Sequence, residues 1–599
     1  MYENFEKING SHPWREVSPE GYIDYPVRYR KGGRVLYFNF HLAKEIGLIP
    51  KNHPRRITKK LEQAILKTFS LQILNEYDWE KQRSFPKDGY EDRLYMATRY
   101  LQTQHENKKG ATSGDGRSIW NGYIKTRSRI YDISSCGTGN TILSPGAQES
   151  PEPIQTGSRE YGYASGLADL DEMLGGAVMS EIFYREGYPS ERSLVVIEYP
   201  NKIGLGVRTA PNLIRPAHFF RYLKSGQLEE LRKSYDYFLQ RQENNGVYDL
   251  PKSGKARYLK ALEYITQTHA KLAAVMEEEY IFNWLAWDGD NMLASGALLD
   301  YGSIRQFAAK HNKYRYEDVD RYSTTLSEQR FWAKRIVQTF IQLTDFLITG
   351  QKQSLEEFDN DKRLELFDQK FESERRRRML WKIGFSPSQI KRLEYKHQDK
   401  VDAFRKVLNY FEHVKMSSGE TTVADGINHP PVFLVRHILR FLPVFILKNL
   451  KTAQWPVMDE KDFCKIMAAS YVNKEDLVLN DYRRKKAVEF QQLYCQMIRA
   501  VGINSKKNLR TIAKRSSVIN YEFRKTGDGL TFIINEAILV RRRMDINELH
   551  DAIERFIQSQ VLVPGKWKPI KERDLTGRTM KSRLLQKMQE NLELYAETI

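Results

Sequence analysis

Cysteine is nearly absent from this chain. Cys136, Cys464 and Cys495 stand far apart among 599 residues. That spacing excludes a disulfide framework and a cysteine-rich zinc site, and it points to a reducing compartment, the cytoplasm. Long uncharged apolar runs are also lacking. The longest stretch of this kind, HPPVFLVRHILRFLPVFILKNL, is broken by Arg436, His437 and Arg440, which predicts a buried or amphipathic helix and no membrane span. The opening MYENFEKING has no apolar segment of the kind a secretion signal needs. No internal repeat is visible.

What is present is a globular composition: 41% hydrophobic, 29% charged and 12% aromatic residues. The length predicts about two to four domains. The net charge of +19 predicts an anionic partner, whether nucleotide, nucleic acid, acidic protein or membrane surface. Basic helix surfaces that only keep the protein soluble explain it equally well.

Patterning divides the chain. GGRVLYFNFHLAKEIGLI predicts a turn, a strand and a short helix. From about residue 61 to 105, ITKKLEQAILKTFSLQIL shows helical spacing. The Gly-, Ser- and Thr-rich run from Lys108 to Thr141 predicts strands joined by tight turns, and 144–158 a loop. LADLDEMLGGAVMSEIFYREG predicts a helix, and SLVVIEYP and IGLGVRTA a pair of strands. Beyond about residue 217 the pattern is helical, with basic runs such as ESERRRRML. Strands first and helices after predict an α+β class, a small mixed lobe followed by a helical one.

Three motifs carry chemistry. In SGDGRS, Gly114 and Gly116 permit a turn whose free N–H groups face a phosphate, with Arg117 beside it. Alone, this is better read as a β-turn with an exposed arginine. In VRTAPNLIR, Arg208 and Arg215 flank a proline turn, predicting a strand–turn–helix path and a clamp on polyphosphate; two surface ion pairs are the plainer alternative. The third is WLAWDGDNMLASGALLDYGS. It sets Asp288, Asp290, Asn291 and Asp300 among apolar residues, where unpaired carboxylates are costly. MLASGALL predicts a hairpin that returns Asp300 to the side of Asn291. Asp290 then reads as a proton acceptor, with Asn291 and Asp300 as hard oxygen ligands for Mg²⁺, as in the catalytic and metal loops of protein kinases. A capped helix and a turn would place the same acids, but leave the apolar run unexplained.

Together these segments resemble the selenoprotein O (SelO) family of kinase-fold protein adenylyltransferases, from about Gly114 to Tyr301. GDGR matches outright. SCGTGNT resembles the family's Lys-Gly-Ala-Gly turn, VRTAPNLIRPAHFF its Arg-Val-Ala-Pro…Arg-Phe-Gly-His-Phe, and DGDNMLASGALLDYG its Thr-Asp-Asn-Met…Ile-Asp-Tyr-Gly. SGLADLDEMLGGAVMSEIFYREGYP resembles its Asp-Gly-Arg-Ala helix. The resemblance implies a protein-kinase-like bilobal fold with ATP and Mg²⁺, or Mn²⁺, as cofactors and a protein as AMP acceptor. It implies ATP contacts at Gly114, Gly116, Arg117, Arg208 and Arg215, a general base at Asp290, and metal ligands at Asn291 and Asp300, the latter also facing the nucleotide. The family's phosphate-binding Lys falls on Cys136, its Asp-Gly pair on Ser165 and Gly166, and its helix Glu on Gly176; Cys136 and Gly166 therefore line the implied nucleotide site. Lys125 or Lys202 is a replacement for the missing lysine.

The expected organisation is an N-terminal α/β segment (1–105), a nucleotide-binding N-lobe (106–216), a helical C-lobe with the catalytic and metal loop (217–350), and a basic helical C-terminal region (351–599). That last region shows no motif matching the family, and the chain ends ENLELYAETI without the family's C-terminal selenocysteine or cysteine. The alternatives are a nucleotide-binding pseudokinase scaffold, favoured by Cys136 and Gly176, and a nucleic-acid-binding protein, favoured only by charge.

Overall fold

The computed structural model describes residues 2–81, 90–102, 105, 109–158, 160, 165–283, 289–310, 326–417, 430–450, 455–503 and 505–597. Its largest feature is a nine-stranded sheet whose paired strands are all antiparallel. The strands are β1 (Tyr22–Tyr29), β2 (Arg34–Phe38), β3 (Leu71–Ile73), β4 (Tyr90–Thr98), β5 (Ser118–Lys125), β6 (Ile130–Cys136), β7 (Ala168–Asp169), β8 (Arg192–Glu198) and β9 (Ile203–Ala210). Their order is β2-β8-β9-β6-β5-β4-β1-β3, with β7 also on β9. The strands before and after residue 105 thus belong to one sheet. The expected pairing of SLVVIEYP with IGLGVRTA is β8 on β9.

Helix α1 (Lys59–Phe69) starts at Thr58, whose side chain accepts from the Leu61 N–H. It is shorter than the helical spacing predicted. Ser70 ends it, because the Ser70 hydroxyl donates to the Arg30 carbonyl and meets the Tyr199 hydroxyl, both at 2.7 Å. The chain then enters β3. A second difference lies in the predicted loop 144–158, where Ser144 caps a short helix, Pro145–Glu149.

Helix α2 (Leu170–Glu186) lies against β8 and β9 and stops at Gly187, whose φ of 90° suits only a residue without a Cβ. After the sheet the chain is helical: α3 (Pro216–Ser225), α4 (Leu228–Asn244), α5 (Lys255–Glu278), α6 (Leu326–Thr349), α7 (Leu364–Ile383), α8 (Pro387–Lys396), α9 (Gln398–His413), α10 (Val435–Asn449), α11 (Glu460–Met467), α12 (Asp481–Ala500), α13 (Lys506–Ile519), α14 (Gly527–Val540), α15 (Ile546–Gln560) and α16 (Met580–Leu594). Among the described residues the strands between them are two residues long: β10 (Ile281–Phe282), β11 (Met292–Leu293), β12 (Ala297–Leu298) and β13 (Arg305–Gln306). The architecture is mixed α/β, a large antiparallel sheet followed by many helices. HPPVFLVRHILRFLPVFILKNL contributes α10, and no helix among the described residues is long and apolar enough to cross a membrane.

Two large cores hold the helices. One joins α2, α5 and α6 to α14, α15 and α16, so the last helices pack back on the helix beneath the sheet. Arg185 of α2 donates both Nη atoms to Glu554 of α15, at 2.6 and 3.1 Å. The other core lies within α7–α13. Buried charge ties this second group to the end of α5. Glu278 is paired with Arg405, with Lys382 at 2.8 Å and with Arg375 at 3.5 Å. Glu279 accepts from Arg436 at 2.7 Å and lies 3.5 Å from Arg524. Burial opposes ionisation of Glu279, but Arg436, then Arg524 and Lys382, hold its carboxyl down to about 2.

Candidate active site

The Gly-rich turn before β5 is built around a buried carboxylate. Asp115 accepts from the Thr98 N–H at 3.0 Å, the Thr98 hydroxyl at 2.6 Å, Trp120 Nε1 at 3.1 Å and the Tyr100 hydroxyl at 3.4 Å. Its flanking glycines permit the approach. A Cβ on Gly114 would stand 2.1 Å from the Thr98 carbonyl oxygen, and one on Gly116 2.7 Å from Ser144. Gly166, at φ +71°, is pressed on the next turn: a Cβ there would lie 1.9 Å from the Asn140 nitrogen.

Arg117 follows, and both its Nη atoms donate to Glu172 in the first turn of α2, at 3.1 and 2.6 Å. Cys136 is half-buried at the end of β6, opposite Ser118 in the ladder. Lys125 and Lys202 do not replace the missing lysine. Lys125 is exposed at the opposite end of β5, in register with Ile130, and Lys202 is exposed in the β8–β9 turn.

Strand β9 carries Arg208, with Ser134 and Ser193 opposite it on either side. A turn then leads into α3, where Pro216 occupies the first helical position and the Arg215 N–H donates to His218 Nδ1 at 3.0 Å. This is the strand–turn–helix path that the sequence predicts. The Arg215 guanidinium lies over the Tyr100 ring, 4.4 Å from its centroid. It donates to the Asp290 carbonyl oxygen at 2.5 Å and stands 3.8 Å from Asp115 Oδ1. Arg215 thus bridges the Gly-rich turn and the Asp290 loop, and Arg208 and Arg215 line one small cleft with Thr98, Ser134 and Leu299.

Residues 284–288, Asp288 among them, lie outside the described residues. From Gly289 onward the apolar run has a clear role. Met292 pairs with Leu298 and Leu293 with Ala297, forming the expected hairpin, and Met292, Leu293, Ala294, Leu298 and Leu299 are buried. Asp290 is buried just before it, with Gln102 Nε2 3.4 Å from Oδ2. Asn291 is half-buried beside it. Burial pushes the Asp290 carboxyl up; Arg215 and Gln102 pull it back, and the charge of Asp300 adds to the push. Asp300 leaves the hairpin at φ 61°, a left-handed conformation for a residue with a Cβ. Its N–H donates to Glu191 Oε1 at 3.3 Å.

Glu191, just before β8, is buried. Its Oε2 lies 3.8 Å from Arg208 Nε, too far for a hydrogen bond, and among the described residues neither atom has a hydrogen-bond partner. Burial raises the Glu191 carboxyl, and Arg208 opposes that shift. Asp115, Glu172 and Glu191 are not among the residues the sequence singles out. Asp115 lies inside the GDGR motif and was open to inspection; Glu172 and Glu191 carry no local signal.

Arginines and carboxylates gather at the end of an antiparallel sheet, beside a hairpin flanked by Asp290 and Asp300, and the arginines suit a phosphate-bearing ligand. A family model described as "Protein adenylyltransferase SelO" matches residues 45–556. The chain belongs to the SelO family. The match reaches well past Tyr301, so most of the C-terminal region that showed no motif is also family sequence. Among similar proteins, the protein nucleotidyltransferase YdiU of Corynebacterium glutamicum strain R is 27% identical over 268 residues, 42% of this chain and 53% of that protein. That of Clostridium perfringens strain SM101 is 25% identical over 281 residues, 45% of this chain and 48% of its own. That of Clostridium botulinum strain Hall is 30% identical over 198 residues, 32% and 36% of the two chains. The chain spans about half the length of the first two of these relatives.

Proposed function

We propose that this chain is an ATP- and Mg²⁺-dependent protein adenylyltransferase with a protein-kinase-like bilobal fold. Its N-lobe is 106–216 joined to the strands of 1–105, its C-lobe is 217–350, and 351–599 is a basic helical extension. The cytoplasm is its setting, in keeping with its few cysteines. The observation that carries the reading is the meeting of Arg208, Arg215, Asp290 and Asp300 at one hairpin and one turn. The names of the relatives support nucleotidyl transfer as the reaction class.

Arg117, Arg208 and Arg215 neutralise the triphosphate; Gly114, Gly116, Cys136 and Gly166 form its backbone-lined rim. Two features suit a hard divalent cation: Asp290 and Asp300 repel one another, and Glu191 Oε2 is buried with no hydrogen-bond partner among the described residues. Asn291 and Asp300 would hold Mg²⁺, or Mn²⁺, which supplies charge stabilisation at the α-phosphate. Asp290 takes the proton of a Ser, Thr or Tyr hydroxyl as its oxygen attacks the α-phosphorus. The phosphodiester bond to AMP forms, and pyrophosphate leaves with the electron pair of the broken P–O bond. Burial raises the Asp290 carboxyl, the direction that suits a proton acceptor.

The test is two incubations with protein acceptor and Mg²⁺, one with α-labelled and one with γ-labelled ATP. Protein label from the α position alone is expected, and Asp300→Ala should abolish Mg²⁺-dependent nucleotide binding. Label from γ overturns AMP transfer. A second reading, a nucleotide-binding scaffold, is favoured by Cys136 and Gly176 standing where the family has its Lys and Glu. ATP bound with no label from either position would establish it.

A further inference from the structure

One carboxylate stands between three parts of the site. Glu172 receives both Nη atoms of Arg117 from the start of β5. On its other side lies Gly302, two residues after Asp300: a Cβ there would stand 3.3 Å from Glu172 Oε1 and 3.5 Å from Asp300 Oδ1. One helical turn further along α2, a Cβ on Gly176 would meet Tyr301 Cβ at 3.7 Å, an ordinary contact. Tyr301 in turn packs near Phe183 of α2, 6.1 Å between ring centroids, and its hydroxyl donates to the Glu191 carbonyl oxygen at 3.3 Å. Helix α2 thus packs on the Asp300 loop, and the Glu172 carboxylate is ion-paired to the sheet while standing beside Gly302 of that loop. Its pair with Arg117 is partly shielded, at 22% and 19% side-chain exposure, so it is held yet within reach of solvent.

Position sharpens the point. Arg117 precedes Ser118, whose ladder partner is Cys136. Glu172 precedes Gly176 by one turn of α2. Kinase-like transferases need an ion pair from strand to helix to bring the helix and the metal-binding Asp into place together. Cys136 and Gly176 cannot form one. An acid in the first turn of α2 also faces the positive end of the helix dipole, which favours its charge.

We propose that Glu172 is a positioning residue: through Arg117 it fixes α2 to the nucleotide end of the sheet and holds the loop carrying Asp300. This rests on the proposed function. The pair has moved to the neighbouring strand and back one helical turn, and Arg117 both anchors the helix and faces the triphosphate.

The test compares wild type, Glu172→Gln, and Glu172→Gln carrying Cys136→Lys with Gly176→Glu. Backbone hydrogen exchange is followed at residues 300–303, and AMP transfer is measured in parallel. Glu172→Gln should speed exchange in that loop and lower kcat by roughly 10- to 100-fold, the scale of a small misplacement of reacting groups. KM for ATP should change much less. The triple variant should restore slow exchange and part of the turnover, which recovery of general stability alone would not do. Unchanged exchange at 300–303 in Glu172→Gln overturns the proposal, as does faster exchange that the triple variant fails to slow. Exchange is read without ATP, so a wild type that transfers nothing counts against the proposed function and leaves this test intact.

Discussion

Two clusters of buried charge in this molecule use the same residue types in opposite ways. At the end of α5, Glu278 and Glu279 are tightly paired, and Glu279 is held down to about 2. At the hairpin, the Arg208–Glu191 and Arg215–Asp115 distances are both 3.8 Å, and burial holds Asp290 and Glu191 above the ordinary carboxylate range. The short pairs at α5 fasten one group of helices to another. Of the hairpin pairs, Arg208–Glu191 leaves Nε and Oε2 without a hydrogen-bond partner among the described residues, charge that a bound ligand can complete. Buried charge is therefore closed over at α5, and where it is left open at the hairpin it supports the proposed binding site.

Replacements should separate the two clusters. The largest effect belongs to the open one. Asp290→Ala should lower AMP transfer by about 10²–10⁴-fold with ATP binding retained, as measured by α-label incorporation beside nucleotide titration. Retained transfer would remove Asp290 from the chemistry. Next, Glu278→Gln should cost about 3–5 kcal/mol of stability in denaturant unfolding, because Arg405 and Lys382 lose their shared partner. A loss below 1 kcal/mol would mean that the closed cluster is closed only in appearance. Third, Arg208→Ala and Arg215→Ala should each weaken ATP binding by roughly tenfold or more, a charge-assisted contact being worth about 1.5–3 kcal/mol. Normal affinity in both would move the triphosphate elsewhere.

The smallest effect is one of sign with pH. The Asp290 carboxyl is raised on folding, so its ionisation costs stability as pH rises through the raised value. Asp290→Asn should therefore stabilise the fold at neutral pH, and the gain should vanish as pH falls below the ordinary 3.8. Glu279 behaves oppositely: its contribution is full above 4.5 and is lost as pH falls toward about 2. Unfolding curves of Asp290→Asn and Glu279→Gln across that range should run in opposite directions relative to wild type. Parallel curves would erase the distinction between the clusters.

Much of the open cluster was legible in the sequence. Arg208, Arg215, Asp290 and Asp300 lie in short motifs whose spacing forces a turn or a hairpin, and β8, β9 and α2 follow from period alone. The closed cluster was not. Glu278 meets Arg405 across 127 residues, and no local pattern records that meeting. Glu172 was hidden for the same reason, since its partner Arg117 is 55 residues earlier. The end of α1 shows the limit in miniature. Helical spacing continues past Phe69, but Ser70 is claimed by Arg30 and Tyr199, 40 and 129 residues away.

The return of α14–α16 onto α2 also sets a timetable for biosynthesis. Arg185 and Glu554 are separated by 369 residues. A ribosome adding about 5–20 residues per second needs roughly 20–70 s to supply the second after the first. Through that interval the apolar outer side of α2 is made but uncovered, and contacts so distant along the chain are slow to close. The newborn protein thus has a long window in which chaperones and proteases meet the same helix surface, and translation speed between residues 185 and 554 sets its length.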